Sequence, residues 1–183
     1  FKSNLIIITM KQKPINLLLD VDGVLTTGSF IYTKKGKFGK LFGPDDNDAL
    51  KILSKFINIS FLTSDFRGFN ISKKTVLNDM NYKINLVKNE KRFSWINKNY
   101  DLKKTIYMAD GIFDWIIMKE CAYSISCNNS NELTKKYSDF TTKSNSGDRA
   151  VSEACLHLIK KFYYKGKIED LILSYHNDIK KKT

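Results

Sequence analysis

Long apolar runs, clustered cysteines, repeats and linkers are all missing from this sequence, and each absence narrows the protein's class. The longest purely apolar runs, such as 5–8 and 17–19, fall far short of the roughly 20 residues that a membrane-spanning helix needs. Cys121, Cys127 and Cys155 are odd in number, show no CxxC spacing and sit among apolar neighbours. They read as buried free thiols, which excludes a disulfide framework or a cysteine metal site. With two prolines, nine glycines, no low-complexity stretch and no internal repeat, the chain offers no linker at which to divide it. The first nine residues carry one lysine and no small-residue cleavage site, so they read poorly as a secretion signal. Met10 is the expected natural start, which makes 10–183 one domain and 1–9 an N-terminal extension. The expected setting is the cytoplasm.

Hydrophobic residues make up 42% and charged residues 27%, the balance of a globular domain. Lysine and arginine outnumber the acids 31 to 19, a net charge of +12. That surplus raises nucleic acid as a partner. Yet it is mostly lysine, spread along helices and gathered in the tail at 160–167 and 180–182. Solvated helix faces explain it better, and neither nucleic acid nor a membrane is the expected partner.

Short apolar runs alternate with helical periods along the whole chain. Strands are expected at 15–19, 59–62, 84–87, 105–108, 123–126 and 140–142, and a glycine-turn hairpin at 30–32 and 37–41. Helices are expected from Pro44-Asp45-Asp46 onward, and at 68–80, 89–99, 115–120, 131–136, 150–164 and 168–181. The acidic side chains at 45 and 46 are expected to satisfy the free amides of the helix they begin. This alternation implies an α/β fold, a three-layer Rossmann-like parallel sheet with a small β-hairpin insertion and no separate cap domain. Ligands bind such sheets beyond the carboxyl ends of the strands, where Asp20, Thr63 and Asp110 all fall.

Asp20-Val21-Asp22-Gly23-Val24-Leu25-Thr26 directly follows the first apolar strand. Two carboxylates one residue apart at a strand end project toward the same crevice and repel, so a cation is expected beside them. Gly23 permits the sharp turn that follows.

With this motif the chain resembles the haloacid dehalogenase superfamily, and within it the 3-deoxy-D-manno-octulosonate 8-phosphate phosphatases and their relatives acting on nine-carbon sugar-acid phosphates. The resemblance runs from about Ile15 to about Ile159. It is carried by Leu19-Asp20-Val21-Asp22-Gly23-Val24-Leu25, the hairpin at 30–40, Phe61-Leu62-Thr63, Lys91, the stretch from Tyr107 to Trp115, and Ala150-Val151-Ser152-Glu153-Ala154-Cys155.

The resemblance implies a magnesium-dependent phosphatase. Asp20 would be the nucleophile that forms an aspartyl-phosphate, and Asp22 the general acid and base. Mg²⁺ would be held by Asp20, Asp110 and the backbone carbonyl of Asp22. Thr63 would bond a phosphate oxygen, and Lys91, favoured over its neighbour Lys88, would neutralise phosphoryl charge. Asp114 would support the metal site without ligating it. The substrate implied is a small phosphorylated sugar acid of surface-polysaccharide synthesis. Arg67 and Arg149 are candidates for its carboxylate, with surface salt bridges as the equal alternative. Because no lid domain is inserted, the resemblance also implies a homotetramer in which hairpins cover neighbouring sites; Phe30, Ile31, Tyr32, Phe38 and Phe42 suit such packing.

Several positions depart from the family pattern. Ala109-Asp110-Gly111 stands where GDD is common, Thr63-Ser64-Asp65 where TGR is common, and Ser146-Gly147-Asp148-Arg149 where glycines are more frequent. Asp45-Asp46-Asn47-Asp48 lacks an expected arginine. Two other readings stay open: a catalytically weak accessory domain of a sugar-nucleotide pathway, which the lost acid at Gly111 favours, and a nucleotide or nucleic-acid-end phosphatase, which the positive charge favours.

Overall fold

The computed structural model describes residues 13–181. The expected extension over 1–9 lies outside the described residues, as does Met10. Six strands form one parallel sheet in the order β5-β4-β1-β6-β7-β8. They are β1 (Asn16–Asp20), β4 (Asn58–Thr63), β5 (Lys83–Leu86), β6 (Thr105–Met108), β7 (Tyr123–Ser126) and β8 (Phe140–Thr141). Strands β2 (Thr26–Thr33) and β3 (Gly36–Phe42) form a separate antiparallel hairpin.

Alternation along β1 divides the core. Leu17 and Leu19 face one layer, with Leu50 and Leu53 of α1 (Asp46–Leu53) and Ala154, Cys155 and Leu158 of α6 (Ala150–Leu158). Leu18 faces the other, with Ile96 of α3 (Asn89–Asn99) and Ile117 and Met118 of α4 (Trp115–Met118). Successive strand residues point to opposite faces, and both faces here are covered, which is why residues 17–19 of β1 are all apolar. The helical segments α2 (Phe69–Lys73, followed by a wider turn over Lys74–Asp79), α5 (Glu132–Lys136) and α7 (Ile168–Lys180) complete the layers. Most element boundaries lie within two residues of the sequence-based expectation.

One local expectation is corrected. Asp45 adopts a left-handed conformation with φ of 64° and makes no side-chain cap for α1. Asp46 instead turns its Oδ1 to the backbone N–H of Ser152, 2.8 Å away in the first turn of α6. The acid satisfies the amide of a neighbouring helix, so it ties α1 to α6 across the chain.

Cys127 and Cys155 are buried and Cys121 is partly buried, all as free thiols. Burial pushes the Cys121 thiol up to about 12 and raises the other two further, so none carries the thiolate needed for reactivity. Among the described residues, no helix is long and apolar enough to cross a membrane.

Candidate active site

Strand β1 pairs with β4 on one side and β6 on the other, and the chain reverses its winding direction there. Carboxyl ends of adjacent strands splay apart at such a point and leave a crevice. The crevice measures about 330 Å³ and is lined by Asp20, Asp22, Ser64, Asp65, Arg92, Asp110 and Asp114, with Phe30 of the hairpin and Phe113 at its rim.

Asp20 ends β1 and is buried; its Oδ1 accepts from the N–H of Val21 at 2.8 Å and its Oδ2 from Arg92 at 2.5 Å. Beyond it Gly23 has φ of 81°, and a Cβ there would overlap the Asp110 carboxylate. Glycine is thus required twice, by the turn and by the approach of Asp110. Asp20, Asp110 and Asp114 each bring a carboxylate oxygen within 4.8 Å of the others. Burial, then the charges of Asp20 and Asp114, push Asp110 up to about 8. Burial pushes Asp20 up to about 6 against the opposing pull of Arg92. Three crowded carboxylates, with Asp20 and Asp110 pushed toward their protonated forms, are the signature of a site short of positive charge, and the oxygen-only donor set suits Mg²⁺.

Thr63, buried at the end of β4, donates from Oγ1 to Asp22 Oδ2 at 3.0 Å. Asp114 is fully engaged: Oδ1 accepts from the Tyr107 hydroxyl at 2.6 Å and from Arg92 at 3.3 Å, and Oδ2 from the N–H of Gly111 at 2.9 Å.

The expected third-motif lysine lies outside the crevice in this structure. Lys91 is exposed and does not line the crevice, and Lys88 is exposed as well. The next residue, Arg92, enters instead and is buried. Its guanidinium reaches Asp20, Asp114, Tyr107 and, through Nη2, Ser64 Oγ at 2.8 Å. Burial opposes the charge, but the Asp20 carboxylate and its companions outweigh it and hold Arg92 protonated. Its Nε is buried without a hydrogen-bond partner, a donor left over for an anion. A signal for this was present: Arg92 and Ile96 are four residues apart, so both lie on the helix face that Ile96 buries.

Neither proposed carboxylate-binding arginine lines the crevice of its own chain. Arg67 is exposed, and Arg149 is exposed in pairs with Asp45 at 2.7 Å and Asp148 at 3.3 Å. A second residue that sequence reasoning missed is Lys40 of β3. Its ammonium is 2.7 and 2.9 Å from the two oxygens of Asp22, and no local pattern marks it.

No protein-family profile matches the chain, and no curated protein matches it. Solved structures do. One is a 3-deoxy-D-manno-octulosonate 8-phosphate phosphatase from Moraxella catarrhalis in complex with magnesium, phosphate and the KDO molecule. It is 26% identical with a TM-score of 0.69, and the match covers 80% of this chain and 86% of that one. Another is the cobalt-bound phosphatase of the same kind from Haemophilus influenzae, at 22% identity and TM-score 0.70, covering 81% and 88%. A putative hydrolase of the haloacid dehalogenase superfamily from Legionella pneumophila matches at 22% identity and TM-score 0.73 over 92% of both chains. The chain has the haloacid dehalogenase fold, and the structures it resembles include phosphatases of that superfamily.

Proposed function

We propose that the chain is a magnesium-dependent phosphomonoesterase acting on a small sugar-acid phosphate, 3-deoxy-D-manno-octulosonate 8-phosphate or a nine-carbon analogue, through an aspartyl-phosphate on Asp20. The observation that carries this reading is the convergence of Asp20, Asp22, Thr63, Arg92 and Asp110 at one switch point of the sheet. The Moraxella structure, with its magnesium, phosphate and sugar acid, supports the substrate class.

In the first displacement a carboxylate oxygen of Asp20 forms a bond to phosphorus while the bond from phosphorus to the sugar oxygen breaks. Asp22 gives its proton to that leaving oxygen. In the second, water attacks phosphorus, gives a proton to Asp22, and the phosphorus–Asp20 bond breaks to release phosphate. Arg92 and Thr63 neutralise and orient the phosphoryl oxygens, in place of the lysine the resemblance implied. Asp20, Asp110 and the backbone carbonyl of Asp22 would hold Mg²⁺, which when bound offsets both the phosphoryl charge and the crowding of the carboxylates. Asp114, with both oxygens committed, orients Arg92 and Tyr107.

The crevice argues against a nucleic-acid-end phosphatase. It is lined by five aspartates, and Lys37 and Lys40 beside it are engaged by Asp65 and Asp22. The exposed apolar residues of the hairpin, Ile31, Tyr32, Phe38 and Leu41, support the homotetramer as part of this reading. A cytoplasmic setting in surface-polysaccharide synthesis completes it.

The test is phosphate release, with and without Mg²⁺, from phosphorylated sugar acids, simple sugar phosphates and nucleotides, alongside Asp20→Asn. Metal-dependent release that prefers a sugar acid and vanishes in the variant is expected. Preference for nucleotides would overturn the substrate, and no release from any substrate would overturn the reading.

A further inference from the structure

Lys40 stands on the hairpin, outside the six-stranded sheet, yet its side chain has 0% exposed surface. A lysine is almost never fully buried unless its charge is paired. Here Nζ lies 2.7 Å from Asp22 Oδ1, 2.9 Å from Asp22 Oδ2, 2.9 Å from Asp65 Oδ2 and 2.7 Å from Ser72 Oγ. An ammonium has three N–H donors; Asp22 Oδ2 and Ser72 Oγ accept from it, and Asp65 pairs with its charge. Asp65 is in turn held by Lys37 at 2.6 Å, and Gly68 leaves room for the cluster, since a Cβ there would meet Asp65, Lys37 and Lys40. Four separate segments therefore meet at one ammonium: the turn after β1, the hairpin, the loop after β4, and α2.

We propose that Lys40 is a positioning residue for Asp22, which fixes the carboxyl group that protonates the leaving sugar oxygen. The inference rests on the phosphatase reading above. Two donors hold Asp22, Lys40 and Thr63, both on Oδ2, and the Lys40 charge also lies 2.7 Å from Oδ1. Thr63 has a second task, because it also orients the phosphoryl group, so a bound substrate draws its hydroxyl away. Lys40 then remains to keep the acid aimed. Its other contacts are Ser72 in α2 and Asp65 in the loop after β4. The placement of the hairpin is thereby coupled to the geometry of proton transfer.

The leaving group reads this role. A sugar alkoxide needs the proton as the bond breaks, whereas an aryl oxide such as 4-nitrophenolate departs without one. Comparing kcat/KM confines the measurement to transfer onto Asp20. For Lys40→Met, kcat/KM should fall roughly 100-fold on a phosphorylated sugar acid, the scale of a misplaced general acid, and by less than about 5-fold on 4-nitrophenyl phosphate. Lys37→Met removes a cation from the same cluster without touching Asp22, and should lose equally little on both substrates. Lys40→Arg should recover part of the sugar-acid rate. Equal losses of Lys40→Met on the two substrates, or none, would overturn the proposal. If thermal unfolding shows that Lys40→Met is not folded, Ser72→Ala takes its place. It leaves the cation and removes one of its anchors, so it should show the same discrimination at smaller size, and no discrimination would again overturn the proposal. Wild-type protein inactive on both substrates would instead sink the phosphatase reading, and this inference with it.

Discussion

Replacing a metal-site acid should stabilise this protein when metal is withheld. Asp110 is half-buried between Asp20 and Asp114, and its pKa is pushed from 3.8 to about 8, by burial first and by those two carboxylates next. A folded-state pKa raised this way favours the protonated form, so its contribution to stability is fully present below pH 3.8 and is lost as pH rises toward 8. At about pH 7.5 the span from the unfolded value is under four units, an upper limit of ~5 kcal/mol at ~1.4 kcal/mol per unit. Solvent reaching Asp110 and the repulsion it shares with Asp20 and Asp114 reduce this to ~2 kcal/mol. Asp110→Asn should therefore be about 2 kcal/mol more stable than wild type to urea in EDTA. Adding Mg²⁺ should reverse the order, because wild type alone then gains binding energy, about 2.7 kcal/mol at a hundredfold excess over Kd. Equal stability in EDTA, or equal gains from Mg²⁺, would refute the claim that these carboxylates form a cation site.

Arg92→Met should lower kcat/KM by roughly 100-fold or more, as expected when a donor to the transferring phosphoryl group is removed, while Lys91→Ala should stay within about 3-fold of wild type. The reverse ranking would restore Lys91 to the site. Asp46, buried and pushed up to about 6 by burial, should lower stability as pH rises from about 4 to 6. Asp46→Asn keeps an acceptor for the Ser152 N–H, so its unfolding free energy should vary less over that range than wild type; an unchanged pH slope would count against the assignment. Light scattering should give four times the chain mass for wild type and a smaller species for Phe38→Ser, a residue that is 71% exposed on strand β3 of the hairpin. A monomeric wild type would exclude the hairpin-covered tetramer.

The reach of the sequence follows from how local each signal is. Strand β1 could be read because residues 17–19 are buried on alternate faces and Asp20 breaks the apolar run at the point where the sheet ends. Asp22 and Asp110 could be placed for the same reason, each following a strand at a fixed offset. Lys91 and Arg92 are harder to separate, since neighbouring residues on a helix differ by about 100° in direction and the docking of α3 decides which one enters. The burial of Ile96 settles it in favour of Arg92. Lys40 had no local mark at all, because its burial depends on the hairpin folding back over residues 22, 65 and 72. Asp46 misled for a related reason: an acid in a first turn suits its own helix, but here the amide it serves lies 106 residues away.

The most direct test of the account is whether Asp20 carries phosphate during turnover. Wild-type protein with Mg²⁺ and a phosphorylated sugar acid, quenched in acid within the first turnover, should show a phosphoryl group on the peptide containing Asp20 by tandem mass spectrometry, and Asp20→Asn should show none. Rapid phosphate release with no adduct at Asp20, or an adduct on another residue, would contradict the account.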